Sequence, residues 1–204
     1  MQNKHCLIYS LVASGMITGL GTSIQTLRAE DAPALKPVKL PFIVYDDKGG
    51  ANNHFISSGW MGNAKGTKMD EGCTNNPHGG QTCLRVEYSA PADWSGIVWQ
   101  DPANDWGDQP GGYNLTGAKT IKFWARGEKG GETVTFKFGV LGKDKRFADS
   151  ASGDLSDIKL TKEWAEYTID LTGKDLTCVK TGFAWTVVGQ GSPVVFFLDD
   201  IRYE

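Results

Sequence analysis

The sequence has 204 residues, with 21 Lys and Arg against 24 Asp and Glu, a net charge of −3 and 26 glycines. A mildly acidic chain is a poor binder of nucleic acid, and this length suits one domain with a substantial core. Beyond the first 29 residues no apolar stretch approaches membrane-spanning length.

Lys4 followed by the mostly apolar run from Cys6 to Gly19 reads as a secretory signal, too short and too interrupted for a transmembrane helix. Cleavage is expected near Ala29. Loss of residues 1–29 removes Lys4 and Arg28 and no acid, which takes the net charge from −3 to −5 and leaves 175 residues. Residues 30–41, with Pro33, Pro37 and Pro41, read as an extended spacer. The folded domain is therefore expected over residues 42–204, exported to a periplasm or beyond the cell.

From there on, glycine falls between short runs that alternate apolar and polar residues, the mark of half-buried strands joined by tight turns. Strands are predicted at FIVYD (42–46), CLRVEYS (83–89), GIVWQ (96–100), TIKFWAR (120–126), ETVTFKFGV (132–140), WAEYTIDL (164–171), GFAWTVV (182–188) and the terminal run. No window supports a long amphipathic helix. So many one-sided strands must bury their apolar faces against each other, which predicts an all-β, antiparallel two-sheet sandwich in the jelly-roll style. Lys129–Glu132 (KGGE) reads as a hairpin turn making its flanking strands neighbours in one sheet.

Cys73 and Cys83 flank a turn-rich segment, and in an oxidising compartment they are expected to form a disulfide closing a surface loop. The competing reading, a metal site of Cys73, His78 and Cys83, lacks the paired short spacings of structural zinc. Cys178 is left over as a small buried apolar residue. In the terminal VVFFLDDIRYE, strict alternation puts Asp199 on one face with Phe197 and Ile201 and sends Asp200 to the other with Arg202. A carboxylate among such side chains needs hydrogen bonds, a cation or a proton.

The ordered set YDD, SGWMG, WSGIVWQ, FWARGEKGGE, EWAEYTIDLTGKDL, GFAW and FFLDDIRYE resembles the galactose-binding-like β-sandwiches of secreted carbohydrate-binding modules, over residues 42–204. That resemblance implies a structural calcium ion tying the first strand region to the last, which maps onto Asp46 or Asp47 and Asp199. Calcium takes six to eight oxygen ligands and would offset the desolvation of Asp199. The alternative is that backbone amides satisfy Asp199 without a metal.

The resemblance also implies a glycan ligand. Trp94, Trp106 and Tyr113 lie in polar, turn-rich segments, and Trp124 alternates with Lys122 and Arg126 on the more polar face of its strand. Aromatic planes stack on sugar rings, so these four are the candidate ligand-binding residues; each has the alternative of packing under a loop. Trp99, Trp164 and Trp185 are assigned to the core or its rim.

Catalysis finds little support. Past the leader only His54 and His78 remain, GQGSP does not have the nucleophile-elbow frame, and the close carboxylate pairs Glu163/Glu166 and Asp154/Asp157 sit in polar contexts. The expected function is an exported, non-catalytic module binding a polysaccharide or glycan. The alternatives are an extracellular scaffold that contacts proteins through the same aromatics and, third, a small glycoside hydrolase or lyase.

Overall fold

The computed structural model describes residues 34–204, so the leader and its cleavage region lie outside the described residues. Among the described residues eleven strands run in chain order: β1 (Phe42–Tyr45), β2 (Ile56–Gly62), β3 (Thr67–Cys73), β4 (Cys83–Tyr88), β5 (Trp94–Gln100), β6 (Thr120–Gly127), β7 (Thr133–Phe138), β8 (Gly153–Lys159), β9 (Ala165–Asp170), β10 (Thr181–Val188) and β11 (Val194–Tyr203). They form two antiparallel sheets. One has the order β3-β4-β11-β6-β9 with β1 also on β11; the other has the order β2-β5-β10-β7-β8. The expected all-β sandwich is the observed architecture.

The alternating runs face inward as their period requires. Leu84, Val86 and Tyr88 of β4, Ile121, Phe123 and Ala125 of β6, and Val134, Phe136 and Phe138 of β7 all lie in one buried cluster with Trp99, Phe183 and Trp185. The sheets interlock through aromatic rings: Phe123 meets Phe136 at 4.6 Å between centroids, and Trp185 meets Phe196 edge-on at 5.2 Å. Such pairs add to the apolar area they remove from water.

The contact between Phe123 and Phe136 also corrects the expected hairpin. β6 pairs with β11 and β9, while β7 pairs with β10 and β8, so the two strands flanking KGGE lie in opposite sheets. Both present apolar faces to the same core, and the turn carries the chain from one layer to the other. There Gly127 N–H donates to Thr161 O at 2.8 Å and Gly131 N–H to Leu160 O at 2.7 Å.

The folded unit begins before residue 42. Leu35 is buried against Cys178, Val38 N–H donates to Asn114 O at 2.9 Å, and Asn114 Nδ2 donates to Leu35 O at 2.7 Å. Val38 and Leu40 pack on the main core. The second half of the expected spacer is therefore docked on the sandwich.

Two long loops at the Gln100 end of the second sheet are organised by buried charge. Asp105 and Lys180 form an ion pair with both side chains 1% exposed. Asp105 also accepts from the Gly107, Asp108 and Gln109 amides, and Lys180 Nζ donates to Gln109 O. Burial pushes the Asp105 carboxyl up, but Lys180 and these amides outweigh it and hold the group below the usual carboxylate range. Asp149 fastens the neighbouring loop to β10 by accepting from the amides of Leu141, Lys180 and Thr181. Lys180→Met strands Asp105 as an unpaired buried carboxylate and is expected to cost about 3–5 kcal/mol, read as a lower urea midpoint with an unchanged slope.

Candidate functional site

Asp199 sits where the last strand breaks register. β11 pairs regularly with β6 up to Asp199 opposite Trp124 and then shifts before Arg202, with Asp200 in the left-handed region at φ 48°. The extra residue turns Ile201 into the core beside Phe196 and Leu198, while Asp199 stays on the outer face with Phe197. The expected sharing of a face between Asp199 and Ile201 is thus corrected by a β-bulge.

Asp199 is fully buried and its oxygens are turned to amides. Oδ2 accepts His78 N–H at 2.8 Å and Gly79 N–H at 3.1 Å, and Oδ1 accepts Asp200 N–H at 2.9 Å. Asp47, after β1, holds the other side of the same loop: its Oδ1 accepts from Gln81 N at 2.9 Å, Thr82 N at 2.7 Å and Thr82 Oγ1 at 3.0 Å. Glycines make this approach possible, since a Cβ on Gly80 would lie 2.1 Å from Asp47 Oδ2 and one on Gly79 would lie 2.8 Å from Asp200 Oδ2. Asp46 Oδ1 accepts Asp47 N–H at 2.6 Å. The first and last strand regions are therefore joined through loop 74–82 and its N–H donors. Among the described residues no three His, Cys, Asp or Glu side chains gather as a metal-ligand group.

The same loop covers Trp124. His78 stacks on its ring at 3.8 Å and 14° and pairs Nδ1 with Asp200 Oδ2 at 2.7 Å. Arg126 lies 3.7 Å over the Phe197 ring and donates to Asn75 O, and Trp164 Nε1 donates to Asn76 O. Cys73 and Cys83 close the base of the loop as register partners, both buried and both free thiols; Cys83 Sγ lies 3.5 Å from Cys73 O. The expected disulfide is not formed in this structure, and the pair packs beside Phe197.

The other sheet carries the accessible aromatic surface. Trp94 opens β5 and is 43% exposed, and its register partner Val188 on β10 is 62% exposed. The tryptophan backbone is fixed on both sides: Asp93 Oδ1 accepts Trp94 N–H at 2.8 Å, and Asn63 N–H donates to Trp94 O at 2.8 Å. The ring lies against Gly62, at φ 60°, where a Cβ would come within 2.9 Å of Trp94 Cδ2. One row further along, Gly96, Thr186 and Thr135 are register partners across β5, β10 and β7. Beside Val188 a cavity of about 170 Å³ opens, lined by Thr133, Thr135, Asp157, Thr186, Val188 and Gln190.

The four candidate aromatics are not gathered on one platform. Trp94 is on the five-stranded sheet and Trp124 is on the opposite one beneath His78. Trp106 is half-buried in loop 101–112. Tyr113 is a packing residue: its hydroxyl donates to His54 O at 2.8 Å and its ring meets Phe42 at 4.8 Å and Phe55 at 5.0 Å. Trp60, 43% exposed on β2, and Ile56, 56% exposed on the same strand, escape the sequence reading. Glycines at 59 and 62 and a bulge after Ser57 erase the alternation that would have marked their strand.

The fold is similar to that of solved carbohydrate-binding modules. A family 30 carbohydrate-binding module of a cellulosomal cellulase of Clostridium thermocellum is 15% identical, with TM-score 0.54, covering 81% of this chain and 98% of that one. A second family 30 carbohydrate-binding module is 14% identical with TM-score 0.56, covering 81% and 99%. The family 11 module of another cellulosomal cellulase of Clostridium thermocellum is 12% identical with TM-score 0.50, covering 84% and 95%. No curated protein matches the chain. The profile of carbohydrate binding domain 30 matches residues 42–204, from β1 to the end of the sequence, and the chain belongs to that family.

Proposed function

We propose that this domain is a non-catalytic module that holds a polysaccharide on the outer face of its five-stranded sheet, with Trp94 as the stacking platform. The observation that carries this reading is the exposed Trp94 ring beside exposed Val188, on a backbone pinned by Asp93 and Asn63 and next to a hydroxyl-lined cavity. An aromatic plane flanked by oriented polar groups is the general pattern for sugar recognition. The family and the similar structures, modules of cellulases among them, support the ligand class. Of the two close carboxylate pairs, Glu163 and Glu166 lie away from this face. Glu166 lies on the other sheet against Arg202, and Glu163 sits in an exposed turn.

Export is part of the proposal, supported by the leader-like residues 1–29 and the extracellular habit of such modules. We read Cys73 and Cys83, opposite in register, as the pair that an oxidant outside the cell would join. For Asp199 the amide cradle replaces calcium in this reading.

Affinity gel electrophoresis against soluble polysaccharides tests the function: Trp94→Ala is expected to weaken retention at least about tenfold, the equivalent of ~1.4 kcal/mol. Retention of that variant equal to wild type would show that the platform lies elsewhere, and no retention of the wild type by any polysaccharide would favour a protein-binding scaffold. Chelator is expected to leave the melting temperature unchanged; a fall that Asp199→Ala abolishes would instead give Asp199 a calcium ion. Burial, with the charge of Asp200 adding to it, raises the Asp199 carboxyl to about 6 against the pull of the Gly79, Asp200 and His78 amides. In an unfolded chain the value is about 3.9. The native state thus binds the extra proton, and this contribution to stability is full below pH ~4 and lost as pH rises through about 6. Urea midpoints across that window are expected to carry this downward component in the wild type and to lack it in Asp199→Ala.

A further inference from the structure

The cavity beside Val188 holds one group that the fold does not use. Asp157 lies in β8 at φ 53°, next to the register shift between β7 and β8, and its backbone N–H donates to Thr135 Oγ1 at 3.0 Å. Asp157 is exposed there and forms part of the cavity lining together with Thr135 and Thr186. Among the described residues the Asp157 carboxylate has neither an ion-pair partner nor a hydrogen-bond donor. Its neighbour Asp154, by contrast, accepts from Ser156 Oγ. The Gln190 amide is already committed: Oε1 accepts Thr133 N–H at 3.1 Å, and Nε2 donates to Thr133 O at 2.9 Å and to Val188 O at 3.4 Å. Gln190 is therefore wall, while Asp157 and the Thr186 hydroxyl are open for a ligand.

Size and chemistry narrow the occupant. At about 170 Å³ the cavity is smaller than sites that enclose a drug-sized molecule, ~300–1,000 Å³. It suits a single ring approached from the Trp94–Val188 side. An ionised carboxylate only accepts, and it accepts two adjacent O–H groups at once. Threonine hydroxyls supply both donor and acceptor.

We propose that Asp157, with Thr186 and Thr135, forms a polar subsite that takes one sugar ring by two neighbouring hydroxyls and rejects rings bearing a carboxylate. The proposal rests on the glycan-binding reading given above. Asp157 is the specificity-determining residue in it: its charge strengthens the bonds to hydroxyls and repels an anionic ring a few ångströms away.

Affinity gels cast with hydroxyethylcellulose, galactomannan or xylan, and with carboxymethylcellulose as the charged counterpart of the first, test it with purified full-length protein. Asp157→Asn is the variant of choice because asparagine tolerates positive φ as aspartate does. It is expected to weaken retention by the best neutral polymer about tenfold, the scale of one charge-assisted hydrogen bond, and to increase retention by carboxymethylcellulose. Thr186→Val is expected to weaken retention severalfold with an unchanged melting temperature. Wild-type retention by both variants, while Trp94→Ala is not retained, would overturn the subsite and leave the glycan reading standing. Trp94→Ala behaving as wild type would sink that reading itself. A loss in Asp157→Asn without any gain on carboxymethylcellulose would overturn the selection against charged rings.

Discussion

One extra residue in β11 governs how this sandwich is closed. The strand is the centre of its sheet, with β4 on one side, β6 on the other and β1 joining its far end. With unbroken alternation either Ile201 or Asp199 would be on the wrong side, an apolar side chain in water or a carboxylate among aromatic rings. The bulge at Asp200 resolves the conflict by restarting the alternation, so Ile201 and Tyr203 complete the core while Asp199 remains outside it. There a bare carboxylate would still be desolvated by its neighbours. Loop 74–82 brings the N–H groups that satisfy it, and by doing so roofs Trp124, Arg126 and Phe197. The outer face of the six-stranded sheet is thereby committed to structure.

The opposite sheet has no such roof over its Trp94 end. Met61, Gly96, Thr186 and Thr135 are register partners across β2, β5, β10 and β7, with the Met61 side chain over Gly96 and the two threonines carrying hydroxyls along the row. Trp94 and Val188 remain in water because no loop crosses them, whereas at the Gln100 end the Lys180–Asp105 pair holds loops down. Exposed apolar side chains supported by fixed backbone are common at recognition sites. The division of labour follows: one sheet face is sealed by charge and amides, and the other keeps an aromatic edge beside unsatisfied polar groups.

Sequence periodicity was informative where strands are buried on one side and flanked by ladder partners. β4, β6, β7 and β10 alternate because each packs one face into the core. β2, β3 and β8 were not legible, and all three are edge strands whose side chains answer to solvent as much as to the core. KGGE shows the limit of turn chemistry: glycines announce a reversal of the chain but say nothing about whether it stays in the layer. The candidate site divides in the same way. Trp94 was readable from its polar surroundings, whereas the covering of Trp124 depends on a loop forty residues upstream whose destination is set by Asp47 and Asp199. Asp157 is legible in the sequence only as half of a close carboxylate pair in a polar context, since its bulge cannot be seen without the pairing of β7 and β8.

The seating of Leu35 and Val38 on the sandwich bears on how the module is carried. Eight residues, 34–41, that would otherwise swing as tether are laid along the body. A domain cut at residue 42 would therefore lose Leu35, Val38 and Leu40 from the body they pack on, so these residues belong to the folded unit and not to a linker.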